Sequence, residues 1–147
     1  MNSFRSYVWD PGLIVSQIIC MQTTFYTTQC ILLVMLSVGG HYPSLEQVFT
    51  TEATLRGAVT QLLSVAICSL IMSKVIGRSK QCLDFTCTLH FWHLIVVTLY
   101  YKSIPTHVSW WLLQILSIVL CTVLGEYFCL QLESRDIYLS TDLRFEM

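Results

Sequence analysis

The residues most able to do chemistry are His90, His93 and Glu126, because each stands inside a long apolar run. An ionisable side chain at the centre of a membrane span costs roughly 2.5 to 3.5 kcal/mol, less near its ends, so each needs a reason to be there. His90 and His93 are three apart and project from one helical face. Counted from the start of its run, His90 is roughly 10 Å deep at 1.5 Å per residue. Glu126 sits near the end of the following run, at a comparable depth, so a His–Glu hydrogen bond between consecutive antiparallel helices is expected. Two imidazoles and one carboxylate are a sparse ligand set for a metal, and the same groups could relay protons or fix the register of a helical bundle. They could also shape a polar pocket for part of a partner. No nucleophile elbow, P-loop or His-Glu-x-x-His motif is present, so an enzyme is not expected, and neither a cofactor nor a metal is assigned.

The elements that must position these groups follow from where charge is missing. Asp, Glu, Lys and Arg are absent between Pro11 and Leu45, Gly57 and Ser73, Phe85 and Tyr101, and Ser103 and Gly125. With 54% hydrophobic and 12% charged residues, the chain cannot give each helix the charged outer face that a soluble bundle needs. A helix crosses the ~30 Å hydrocarbon layer in about 20 residues. The runs 13–38, 57–76, 83–101 and 108–130 meet that length, so the expected fold is all-α, a single four-transmembrane-helix bundle with short tails 1–12 and 131–147.

Arg5, Lys74, Arg78, Lys80 and Arg135 flank one side of these spans, against Arg56 and Lys102 on the other. Positive charge stays inside, which puts both termini in the cytosol and makes the first span an uncleaved signal anchor. The lumenal segment Pro43 to Phe49 has Ser44 and Gln47 at capping-box spacing, with Leu45, Val48 and Phe49 on one face. It is expected to form a short amphipathic helix on the lumenal leaflet. In the fourth span Gln114, Ser117, Cys121 and Gly125 share one side, a small-residue seam suited to close helix approach or self-association. Gln17 and Gln22 add polarity to the first span, and Lys74 either joins the cluster or snorkels. The cysteines read as packing residues, with juxtamembrane Cys82 and Cys129 open to palmitoylation. A net charge of -1 gives no reason to expect nucleic acid as a partner.

Several strings resemble one family. Phe4-Arg5-Ser6-Tyr7-Val8-Trp9-Asp10-Pro11, then Lys80-Gln81-Cys82-Leu83-Asp84-Phe85-Thr86, His90-Phe91-Trp92-His93-Leu94, Trp110-Trp111-Leu112 and Gly125-Glu126-Tyr127 are similar in order and spacing to the Sys family of Golgi membrane proteins. The resemblance implies a multi-pass protein of the trans-Golgi membrane that serves vesicular protein trafficking. It further implies a receptor that recruits an Arf-related small GTPase through the GTPase's acetylated N-terminus.

Resemblance and topology together direct attention to the cytosolic end. Arg5, Tyr7, Trp9 and Asp10, with Lys80 and Asp84 of the short turn, are the expected partner-binding surface, and His90, His93 and Glu126 are expected to shape it from within. The competing readings are a small proton-coupled transporter and a structural subunit of another membrane complex.

Overall fold

The computed structural model describes residues 10–37, 40, 42 and 44–145. Arg5, Tyr7 and Trp9 therefore lie outside the described residues. Helix α1 (Pro11–Leu36) is followed by the short α2 (Glu46–Phe49), α3 (Leu55–Ile76), a 3₁₀ turn (Ser79–Gln81), α4 (Cys82–Tyr101) and α5 (Val108–Phe145). Four of these helices are long and apolar enough to cross a membrane. We call the end of the bundle holding Asp10, Gly77 and Cys82 the basal end, and that holding α2 and the α4–α5 loop the distal end.

Local chemistry sets the helix limits. Asp10 caps α1 by accepting from the backbone N–H of Gly12 at 3.0 Å and of Leu13 at 3.4 Å, and Pro11 supplies a first-turn residue with no N–H to satisfy. Thr54 caps α3 by accepting from Gly57 N–H at 3.2 Å. That helix stops where Gly77 turns left-handed at φ 63 and donates its N–H to the Ser73 carbonyl at 3.1 Å. Lys74 is exposed in the last turn of α3 and Asp84 in the first turn of α4, each where the helix dipole favours its charge. Distally, Trp111 Nε1 donates to the Pro105 carbonyl at 3.0 Å and pins the α4–α5 loop.

Burial runs opposite to that of a soluble bundle. Leu, Ile and Val side chains such as Ile19, Ile31, Leu70, Leu112 and Val123 face outward, while Thr60, Gln61, Ser64, Ser69, Ser73, Thr86 and Ser117 are buried. In hydrocarbon an apolar side chain gains nothing by leaving the lipid, so small and hydrogen-bonding residues take the interior. α3 is the central helix, with half of its most apolar window buried and neighbours on either side in α1 and α5. It tolerates a polar inner face because its hydroxyls bond back along the helix: Thr60 to the Gly57 carbonyl at 2.8 Å, Ser69 to Ala66 at 2.7 Å and Ser73 to Leu70 at 2.6 Å.

The seam expected on α5 is formed: Gln114, Ser117, Cys121, Gly125 and Cys129 are all buried, and α5 makes its most extensive contact with α3. Gly125 is where the approach is tightest, since a Cβ there would collide with Met72 Cε and lie 3.6 Å from Cys82 Sγ. Two expectations need correction. Ser44 does not form a capping box; Leu45 is the N-cap of α2 and makes no side-chain cap bond. Leu45 is exposed, whereas Val48 is buried and the Phe49 ring packs on Tyr100 at 5.2 Å and Tyr26 at 5.7 Å, so α2 rests on the middle of α1 and the end of α4. Cys82 and Cys129 are both fully buried with their sulfurs 3.4 Å apart, turned away from any acylating enzyme.

The seam yields a graded prediction. Gly125→Ala asks only that the flexible end of Met72 move, and the fold should tolerate it. Gly125→Leu must displace packed atoms and should destabilise the bundle by about 1 to 3 kcal/mol. Unfolding of the purified variants in mild detergent, with Met72→Ala as a partial rescue of Gly125→Leu, measures both effects.

Candidate functional site

The polar interior lines the inner face of α3, and α1 and α4 add most of the side chains that bond from helix to helix. On α1, Gln17 Nε2 donates to the Val75 carbonyl of α3 at 3.1 Å, and one turn on Gln22 Nε2 donates to the Leu89 carbonyl of α4 at 2.9 Å. A further turn along, the Tyr26 hydroxyl shares a 3.2 Å hydrogen bond with His93 Nδ1. His93 is 2% exposed and sits in an aromatic box, edge-on to Phe25 at 5.6 Å and stacked on Trp110 at 6.4 Å. Distally, Gln61 Nε2 donates to Ser117 Oγ at 3.1 Å and ties α3 to α5.

His90 is equally enclosed, and its Nδ1 meets the Thr86 carbonyl of the preceding turn at 3.0 Å. The expected His–Glu bond is absent among the described residues, and register explains why. Antiparallel packing sets Cys82 against Cys129 and Gly125, so two turns further along α4 His90 faces the Gln114 to Ile118 stretch of α5. Glu126 is level with the beginning of α4 and its side chain is exposed. Because Gly125 packs on Cys82, the first residue of α4, the neighbouring Glu126 is two helical turns short of His90, and α5 continues beyond it as helix to Phe145. Among the described residues no group of three or more His, Cys, Asp or Glu side chains could hold a metal ion.

Asp10, Lys80 and Asp84 are all exposed at the basal end. Asp84 lies on the wall of a groove of about 230 Å³ between the starts of α1 and α4, with Ile14, Ile18, Gln81, Phe85 and Thr88. The groove joins an apolar floor to a carboxylate and a carboxamide at its rim. Thr88 is occupied internally, donating to the Asp84 carbonyl at 2.7 Å. Beside the groove the 3₁₀ turn is braced by α5, where Glu133 Oε1 accepts from Ser79 N–H at 3.5 Å. Sequence reasoning missed Tyr26, Gln29 and Gln61. The signal was present in the spacing of Gln22, Tyr26 and Gln29, which repeats at helical intervals and marks the inner face of α1.

These features define an all-helical, four-span membrane protein with a small-residue, hydrogen-bonded interior. Residues 4–139 match the SYS1 family model, described as integral membrane protein S linking to the trans Golgi network, and the chain belongs to that family. It is 37% identical to "Protein SYS1 homolog" of Nematostella vectensis over 145 residues, covering 93% of this chain and 92% of that protein. "Protein SYS1" of Saccharomyces cerevisiae is 32% identical, over 92% of this chain and 70% of its own length. "Protein SYS1 homolog" of Dictyostelium discoideum is 32% identical, over 91% and 61% respectively. No solved structure matches the chain.

The α1–α4 bond is open to a double-mutant cycle. Tyr26→Phe and His93→Phe, singly and together, should give a coupling of about 0.6 to 1.7 kcal/mol, the range for interhelical hydrogen bonds in membranes. Unfolding free energies of the four proteins measure it; zero coupling would show that the bond contributes nothing to holding α1 on α4.

Proposed function

We propose that the chain is a trans-Golgi membrane receptor that serves vesicular traffic by recruiting an Arf-related small GTPase, gripping its acetylated N-terminus at the basal end. The single observation that carries this reading is the basal groove between α1 and α4. Its Ile14, Ile18 and Phe85 floor suits an apolar residue, while Gln81 and Asp84 offer a donor and acceptors for an amide. Acetylation removes the charge of an amino terminus, so such a terminus can enter an apolar groove without the cost of desolvating an ammonium.

In this reading the basal end faces the cytosol, in keeping with Lys74, Arg78, Lys80, Arg135 and Arg144 at or beyond it. The last fifteen or so residues of α5 then project roughly 20 Å past the bilayer surface and flank the bound GTPase. Arg5, Tyr7 and Trp9 immediately precede the α1 wall of the groove in sequence and complete the contact surface with Asp10, Lys80 and Asp84. Membership of a family described as linking to the trans Golgi network supports the compartment.

Two variants test the site. Asp84→Ala with Lys80→Ala removes the rim charges, and Ile18→Trp fills the floor from the bilayer-facing helix without touching them. Both should release the GTPase to the cytosol while the receptor stays in the Golgi, as read by imaging and by co-isolation from membranes. Unchanged GTPase recruitment by both well-expressed variants would remove the groove from consideration.

A further inference from the structure

A second pocket lies on the opposite flank of α4, independent of the basal groove. It measures about 210 Å³, opens between α4 and α5, and is walled by Leu94, Trp110 and Ile118 with Phe91 and Trp111. Phe91, Trp111 and Ile115 are substantially exposed on the bundle's outer surface at its mouth, so the pocket opens sideways into the bilayer. Its wall also contains two polar side chains at least nine-tenths buried: His90 and Gln114 are each 5% exposed. Among the described residues His90 Nε2, Gln114 Nε2 and Gln114 Oε1 have no hydrogen-bond partner. Nothing else in the fold uses these three atoms, and in hydrocarbon each unsatisfied group is costly.

Their chemistry defines what is missing. The Thr86 carbonyl can only accept, so the hydrogen of the neutral His90 ring is on Nδ1 and Nε2 is left as a bare acceptor. Gln114 adds an amide nitrogen with two N–H donors and one carbonyl acceptor. An acyl chain satisfies none of these atoms. A phospholipid ester carbonyl can accept from Gln114 but leaves His90 without a donor, and a charged headgroup at this depth is too costly. A hydroxyl donates to His90 Nε2 and accepts from the Gln114 amide at once, satisfying two of the three atoms where the others satisfy at most one.

We propose that this pocket binds a sterol, with its single hydroxyl between His90 and Gln114 and its rigid rings against Phe91, Trp111 and Leu94. Flat aromatic and branched aliphatic walls suit a fused ring better than a mobile acyl chain, because a rigid ligand loses less conformational entropy on entering. The pocket spans only the two turns from Cys87 to Leu94, too short to seat a neighbouring helix along its length.

The test uses the full chain in phosphatidylcholine nanodiscs with a photoactivatable diazirine sterol that retains its hydroxyl. Labelling should saturate and map to residues 87–94 and 111–118. Unlabelled sterol should displace the probe, and its 3-keto analogue, which cannot donate to His90, should do so about tenfold less well. Gln114→Leu and His90→Phe should each reduce labelling to a similar degree, and Ile115→Trp, which blocks the mouth and leaves the polar pair intact, should abolish it. The keto comparison needs no variant, so a folding failure in any one of them leaves the proposal testable. Labelling on other faces, equal competition by the keto analogue, or displacement by ceramide as effective as by sterol would overturn it. So would disulfide-linked dimers formed through Ile115→Cys, which would make a second copy the occupant.

Discussion

The close approach of α3 to α5 is the constraint on which the rest of the bundle depends. At Gly125 the absence of a side chain lets Met72 and Cys82 converge on the α5 backbone, and at the distal end Gln61 and Ser117 close the same seam with a hydrogen bond. Between them, Ser64, Cys68, Ser69 and Cys121 are small enough to keep the helices near one another. In water such an interface would be weak for want of buried apolar area. In lipid, close packing and internal hydrogen bonds replace the hydrophobic drive, so the smallest residues become the most useful ones.

Once α3 and α5 are fixed, the positions of α1 and α4 follow from specific polar contacts. α1 is attached at successive turns by Gln17, Gln22 and Tyr26, of which the first reaches α3 and the others α4. Gln22 ends on a carbonyl inside α4 and uses its second lone pair, whereas Gln17 supplies a donor to the Val75 carbonyl in the last turn of α3, which the helix itself leaves without one. The result is a bundle whose outward faces are mainly apolar and whose register is written in amides and hydroxyls. It also leaves the α4–α5 flank less tightly filled than the α3–α5 seam.

That hierarchy explains what could be read in the sequence. The four spans were legible because charge-free runs of the right length have few other uses, and the Gln114 to Gly125 seam because small residues at helical spacing are distinctive. The site was less legible. Glu126 looked like a partner for His90 and His93 because depth was counted from an assumed exit near Leu130, but the α4–α5 register sets Gly125 against Cys82 and leaves Glu126 exposed at the level where α4 begins. Likewise Val48 and Phe49 were recognised as an apolar face, but only the fold reveals that this face meets the rings of Tyr26 and Tyr100. Periodicity tells which residues share a side of a helix; it does not tell which neighbour that side meets, or at what height.

The two histidines show how much height matters. Three residues apart on the same helix, they meet different neighbours: His93 is satisfied by Tyr26 and packed among Phe25 and Trp110, whereas His90 turns one nitrogen back to its own helix. The bond of its Nδ1 to Tyr26 and its ring contacts make His93 a structural pivot between α1 and α4. The remaining nitrogen of His90 and the Gln114 amide, which line one pocket, are then left without partners among the described residues. A cost of that kind, at a pocket that opens to lipid, is best understood as an interaction completed from the bilayer rather than from the chain.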